Sequence, residues 1–185
     1  MTQVLILYYS RGGATQQLAD AIAEGVASAG GEALLRTVNT ASDAASERDL
    51  EVNTKDLEQC DALILGSPTR FGHMASGLQK FWESTSAQWL SATLADKPGA
   101  VFTSSSSLHG GQESTLLSLA LPLLHHGMLL VGLPYSEPAL HQTDSGGSPY
   151  GASHVDHSGK LTDHERQLAV ALGKRVASAA QKLMS

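Results

Sequence analysis

The stretch Ser10-Arg11-Gly12-Gly13-Ala14-Thr15 sets two hydroxyls, an arginine and two glycines between an apolar run, Val4–Leu7, and a segment with Leu18, Ile22 and Val26 at helical spacing. Backbone N–H groups at a helix N-terminus point outward and carry part of the helix dipole. Gly12 and Gly13 let the backbone approach an anion closely, and Ser10 and Thr15 can each donate a hydroxyl. These parts make a phosphate site without an obligatory lysine. They also make an ordinary hydroxyl-capped strand–helix turn, and the stretch alone does not separate the two. No G-x-x-x-x-G-K-[ST] occurs, no G-x-G-x-x-G occurs, and no acid ends the second strand-like segment to hold a ribose. That argues against a P-loop NTPase and a Rossmann dinucleotide site, and suits a single terminal phosphate, as on a mononucleotide.

A second stretch is Gly66-Ser67-Pro68-Thr69-Arg70-Phe71-Gly72. Pro68 and Gly72 fix a backbone that can present N–H groups to the edge of a flat ring, and Phe71 can cover or border that ring. The alternative is a surface turn, with Phe71 in a core or an oligomer contact. The third is Thr103-Ser104-Ser105-Ser106-Ser107-Leu108-His109-Gly110-Gly111-Gln112-Glu113. A serine run is usually a linker, but this one follows a core strand and precedes a helix, as a binding loop does. No G-x-S-x-G elbow is present, so a serine hydrolase is a poor reading.

The elements that must position these stretches alternate in type. Val4–Tyr8 is a continuous apolar run, as expected of a parallel strand buried on both faces. A helix follows over Thr15–Ala29, ended by Gly30-Gly31, then a strand over Glu32–Val38. Thr40–Asn53 is polar and weakly periodic and reads as an irregular insertion. A short helix at Thr54–Gln59 leads to a strand at Ala62–Gly66. Helix Ser76–Ser86 points Leu78, Phe81 and Trp82 inward. Strand Ala100–Thr103, helix Gln112–His125 and strand Met128–Val131 follow. Gly132–Leu161 reads as a long Gly/Pro-rich loop, beyond the usual length of a structureless connector and so expected to shape the pocket or subunit contacts. Thr162–Met184 is a helix with a Thr-x-x-Glu capping pattern and a stripe of Leu168, Leu172, Val176 and Leu183. Five strands alternating with helices imply one doubly wound α/β domain with a five-stranded parallel sheet and helices on both faces. Ligands in such folds sit beyond the carboxyl ends of the strands, where all three unusual stretches emerge.

Composition bounds the function. The chain has 185 residues, 42% of them hydrophobic, enough for one well-packed domain. A net charge of −6 argues against a nucleic-acid surface. No segment approaches the ~20 apolar residues of a membrane span, and no signal-peptide layout precedes Val4. One cysteine, Cys60, excludes an internal disulfide and fits a reducing compartment, so a cytoplasmic protein is expected. Cys60 reads as a buried filler and Trp82 as helix core. His154-Val155-Asp156-His157 has ligand-like spacing, but it lies in a polar loop without cysteine or an H-E-x-x-H frame, so no metal site is expected. His125-His126 closes a helix, where the dipole favours histidine.

Taken together, Tyr8-Tyr9-Ser10, Gly66 to Gly72, Gly110-Gly111-Gln112-Glu113, His125-His126-Gly127-Met128 and Pro149-Tyr150-Gly151-Ala152 resemble the WrbA family of flavodoxin-like NAD(P)H:quinone oxidoreductases. The resemblance covers nearly the whole chain. It implies bound FMN, two-electron reduction of quinones by NADH or NADPH through ping-pong hydride transfer, and a homotetramer whose pockets are completed by neighbouring chains. Residue by residue, it implies that Ser10, Arg11, Gly12, Gly13, Ala14 and Thr15 surround the FMN phosphate. Pro68, Thr69, Arg70, Phe71 and Gly72 would line the isoalloxazine, and Thr103, Ser104, Ser105, Ser106, Ser107, Leu108, His109, Gly110 and Gly111 would wrap ribityl and ring. His126 would act at the pyrimidine end of the flavin, and Trp89, with Phe71, would border the nicotinamide or quinone pocket, Trp89 reaching it from a neighbouring chain. One departure stands out: some members carry an aromatic residue where Gly12 stands, and it contacts the nicotinamide cofactor. Glycine cannot stack, so the NADH/NADPH choice does not carry over. Two rival functions share some of these features. A flavodoxin-like one-electron carrier would have the fold, but the long third and fifth loops favour an enzyme. A non-enzymatic protein-binding module is disfavoured by the acidic charge and by three loops gathered at one sheet edge.

Overall fold

In the computed structural model, which describes residues 1–39 and 48–184, the apolar runs form parallel strands. In chain order the elements are β1 (Gln3–Tyr8), α1 (Ala14–Ser28), β2 (Glu32–Thr37), α2 (Thr54–Gln59), β3 (Ala62–Pro68), α3 (Ser76–Glu83), α4 (Ser86–Leu90), β4 (Pro98–Ser105), α5 (Gln112–His125), β5 (Leu129–Leu130), α6 (Ala139–Gln142), β6 (Ala152–Val155) and α7 (Asp163–Met184). The sheet order is β2-β1-β3-β4-β5, with β6 also paired to β4, and every strand pairing is parallel. The strand order switches direction between β1 and β3, which places the crevice above their carboxyl ends.

The five-stranded expectation needs one correction. β5 pairs with Pro98 and Gly99 of β4, whereas β6 pairs with Phe102 to Ser105 of the same strand. The two short strands lie end to end along one flank of β4, so six strands fill five sheet positions. The chain leaves the sheet after Leu130 and returns at Ala152, and the segment expected to be loop throughout therefore carries α6 and β6. Ala152-Ser153-His154-Val155 is too short and too polar to read as a strand. The return depends on Gly151, where a Cβ would lie 2.1 Å from the Val101 carbonyl oxygen. Glycine is the residue that permits so close a backbone approach.

Two apolar layers cover the sheet. On one face Leu18, Ile22 and Val26 of α1 meet Leu168, Leu172 and Val176 of α7. On the other, Leu78 and Trp82 of α3 meet Leu116, Leu119 and Leu123 of α5. Leu183, expected in the α7 stripe, is exposed; Ala180 ends the buried face one turn earlier. The helix expected over Ser76–Ser86 stops at Glu83, where the Thr85 hydroxyl donates to the Trp82 carbonyl (2.8 Å), and α4 begins afresh. The capping pattern of the last helix forms as expected: Thr162 N donates to Glu165 Oε2 (2.8 Å) and Glu165 N to Thr162 Oγ1 (3.2 Å). Most of the insertion expected over Thr40–Asn53 lies outside the described residues. Its end rejoins β2 through Thr37 N to Leu50 O (3.0 Å) and Val52 N to Thr37 O (2.9 Å). Among the described residues no helix is long and apolar enough to cross a membrane.

Candidate functional site

The carboxyl ends of β1, β3 and β4 open into a cleft of 160 Å³ that gathers all three stretches. Ser10, Arg11, Gly12, Ala14 and Thr15 line it from the first, Pro68, Thr69 and Arg70 from the second, and Ser104, Ser105 and Ser106 from the third. Asp156, just past β6, completes the lining. Sequence reasoning missed Asp156 as a site residue because β6, which carries it to the sheet edge, has no periodic signal.

The first stretch is built as a donor cradle. Ser10 Oγ accepts from Gly13 N (3.1 Å) and Gln16 N (3.4 Å), which leaves its own hydrogen to donate outward. Gly13 precedes α1 with φ 90°, a left-handed conformation that side chains disfavour. Thr15 Oγ1 and Ser104 Oγ share one hydrogen bond of 2.9 Å, so one of the two hydroxyl hydrogens remains to donate elsewhere. With Arg11 and the start of a 15-residue helix beside them, these groups match the acceptors of a phosphate monoester.

The second and third stretches fix one another. Thr69 N donates to Ser104 O (2.8 Å), and Thr69 Oγ1 accepts from Thr115 Oγ1 (2.7 Å) and Gly72 N (3.3 Å). Thr103 Oγ1 is buried, donating to Ser67 O (2.7 Å). Ser107, Leu108, His109, Gly110 and Gly111 do not line the cleft. They form a turn at its rim, closed by Gly110 N to Ser107 O (3.1 Å) and by Gln112 Nε2 to Leu108 O (3.0 Å). Phe71 lines neither this cleft nor its larger neighbour. Its ring is fully exposed and its φ is 52°, a strained conformation for a bulky residue.

A second cavity, of 970 Å³, adjoins the cleft through Arg11 and Arg70, which line both. It runs beside α3, α4 and α5 past Trp82 and Trp89 to His125 and His126. The structure does not bring His126 to the small cleft. Gly111 precedes α5 at the cleft end and His126 follows its other end, and 14 residues of helix are about 21 Å long. His126 Nε2 lies 3.0 Å from Thr85 Oγ1, whose single hydrogen already serves the Trp82 carbonyl. Nε2 therefore carries the ring proton and Nδ1 a lone pair, buried and without a partner among the described residues. Burial, and then the neighbouring His125, lower the His126 pKa and favour the neutral ring. Trp89 is half-exposed and donates Nε1 to His125 O (2.9 Å).

Cys60 and His154 both lie outside the cleft lining. Cys60 is buried, and burial pushes its thiol up to about 11, which makes it an inert filler. His154 is fully buried with Nδ1 2.8 Å from Glu165 Oε2, so its ring serves an internal carboxylate.

Known proteins are similar to this chain in sequence and in fold. The family model for NADPH-dependent FMN reductases matches residues 2–136. The chain is 43% identical over 197 residues to an NAD(P)H dehydrogenase (quinone) of Gluconacetobacter diazotrophicus, with 99% of each chain covered. It is 42% identical over 199 residues to the protein of the same name from Chromohalobacter salexigens, again with 99% of each covered. Among solved structures, a WrbA-like flavodoxin from Agrobacterium tumefaciens has a TM-score of 0.75 at 28% identity, covering 98% of this chain and 99% of that one. An archaeal flavodoxin, with a TM-score of 0.67 at 22% identity over 97% of this chain and 99% of its own, shares the fold.

Proposed function

We propose, since this chain belongs to the NADPH-dependent FMN reductase family and is of the WrbA type, that it is an FMN-dependent NAD(P)H:quinone oxidoreductase. The observation that carries this reading is the junction at Arg11 and Arg70, where a donor-lined cleft for one phosphate opens onto a cavity of 970 Å³. Bound FMN would supply a two-electron carrier that accepts hydride and passes it on. The residues of this chain bind and orient. Ser10, Thr15, Ser104 and the start of α1 would hold the phosphate, and the backbone of Pro68 to Gly72 would border the flat ring. Arg11 and Arg70 would face the anionic dinucleotide donor as it enters the larger cavity. That cavity gives the nicotinamide and the quinone successive room, which a one-electron carrier does not need. No nucleophile or obligatory general base is required. The buried thiol of Cys60 suits a reducing compartment, and we place the protein in the cytoplasm on that ground.

Anaerobic titration tests the reading. NADH or NADPH should bleach the flavin absorbance of the loaded protein, and a benzoquinone should restore it. A flavin that neither nicotinamide reduces would refute the enzyme.

The same reading extends to assembly. Leu117, Leu121 and Leu124 of α5 are all exposed, as are Leu129 and Leu130 of β5 and Leu90 and Trp89 of α4. Exposed leucines on neighbouring elements are an interface signature. A homotetramer would cover it, would bury the strained Phe71, and would let Trp89 and His126, remote from their own cleft, serve the cleft of a neighbour. Leu117→Glu lines neither cavity and should dissociate the assembly and lower turnover even with FMN in excess. Sedimentation and turnover measured together check this. A fully active monomer would contradict the shared pocket.

A further inference from the structure

We propose that Asp156 is a cofactor-binding residue that receives ribityl hydroxyls, and that it is positioned there by the buried Glu165–His154 pair. This rests on the FMN reading above. Among the described residues lining the small cleft, Asp156 is the one carboxylate. The arginines and backbone N–H groups around it only donate, and the serines and threonines can donate, which suits an anion. An ionised carboxylate only accepts. A ligand matched to such a lining carries an anion at one end and hydroxyl donors beside it, and FMN has its phosphate followed by the three hydroxyls of ribityl.

The position of Asp156 is built, not incidental. Its N–H donates to Ser105 O (2.8 Å), which extends the β4–β6 ladder one residue beyond β6. Its Oδ1 accepts from Gly159 N (3.1 Å), and the side chain is still 39% exposed. Beneath it lies the fully buried His154, with Nε2 3.8 Å from Asp156 Oδ1 and without a hydrogen-bond partner among the described residues. The other ring nitrogen of His154 is held by Glu165 Oε2 at 2.8 Å, and Glu165 Oε1 accepts from Val155 N at 2.9 Å. His154 sits opposite Ser104 in the parallel register, and Ser104 Oγ is the group bonded to Thr15 Oγ1. The dyad thus fixes the strand end that presents Asp156 over the same cleft wall as the phosphate loop. Asp156 is held on the sheet-edge side, while the anion position belongs to the start of α1.

The test is flavin-fluorescence titration of the full-length apo-protein and its Asp156→Ala and Asp156→Asn variants with FMN, riboflavin and lumiflavin, which lacks the ribityl chain. Asp156→Ala should weaken FMN and riboflavin alike, by about 10-fold or more, as expected for a hydrogen bond to a charged acceptor, and leave lumiflavin unchanged. Asp156→Asn, which keeps an acceptor oxygen, should fall between, with an unchanged melting temperature. Unchanged FMN and riboflavin affinities would overturn the proposal. So would tighter FMN binding with riboflavin unchanged, which would place the carboxylate against the phosphate, and so would equal losses for all three ligands, which would make Asp156 a folding residue. If the wild-type protein binds none of the three, the FMN reading itself fails.

Discussion

Glu165→Gln should lower the unfolding free energy at pH 7 by about 3 kcal/mol, since each buried donor left unsatisfied costs about 1–3 kcal/mol. The carboxylate is fully buried and accepts five hydrogen bonds. Ser145 Oγ (2.8 Å), Gly146 N (2.9 Å) and Val155 N (2.9 Å) reach Oε1, and His154 Nδ1 (2.8 Å) and Thr162 N (2.8 Å) reach Oε2. These donors come from the returning loop, from β6 and from the start of α7, so one side chain ties together everything added between β5 and α7. A glutamine keeps one acceptor oxygen and turns an NH2 group toward donors, stranding them in the interior. Burial alone would raise the Glu165 pKa, but the hydrogen bonds from His154 and from the Thr162, Val155 and Gly146 N–H groups prevail and hold it at about 2, against an ordinary 4.5. A folded pKa below the unfolded one gives stability that is complete above pH 4.5 and lost as pH falls toward 2. The size of that acid-labile part is on the order of 3 kcal/mol. Urea unfolding at pH 7 and pH 3 should therefore show the wild-type protein losing part of its advantage over the variant at the lower pH. Equal stability of the two proteins at pH 7 would show that the cluster does not anchor the β6 return.

Gly13→Val should weaken FMN binding on the order of 100-fold or more, and more than Thr15→Ala does. Gly13 holds φ at 90° immediately before α1. A valine there meets the steric cost of left-handed backbone, roughly 1–2 kcal/mol. It also sets a branched side chain at the amides that begin the helix. Relief of that strain would rotate the N–H groups away from the cleft. Thr15→Ala removes one hydroxyl whose hydrogen bond to a charged group is worth about 1.5–3 kcal/mol, and Ser104 remains beside it. Isothermal titration of both apo-variants with FMN compares them directly. Wild-type-like affinity in the Gly13 variant would assign this turn a purely structural role.

The donor-lined turn before α1 was legible because it depends on local facts: an apolar run, a glycine pair and hydroxyls at a helix start. The three loops were expected at one sheet edge because parallel strands deliver their carboxyl ends together. β6 and Asp156 were not legible. Ala152-Ser153-His154-Val155 forms a strand through its pairing with Phe102 to Ser105 and through Glu165 behind it, and such long-range causes leave no local period. His126 shows a different limit. The histidine pair at the end of a helix marks a residue of interest, but only the length and direction of α5 show that it lies far from the cleft of its own chain.

Two-electron reduction of a quinone is decided by initial rates of the FMN-loaded protein with NADH or NADPH and a benzoquinone, with hydroquinone counted against nicotinamide oxidised. Double-reciprocal plots should be parallel, as a substituted-enzyme cycle requires, with one hydroquinone formed for each nicotinamide consumed. Release of semiquinone radicals in place of hydroquinone, or tightly bound flavin with no nicotinamide oxidation, would contradict it.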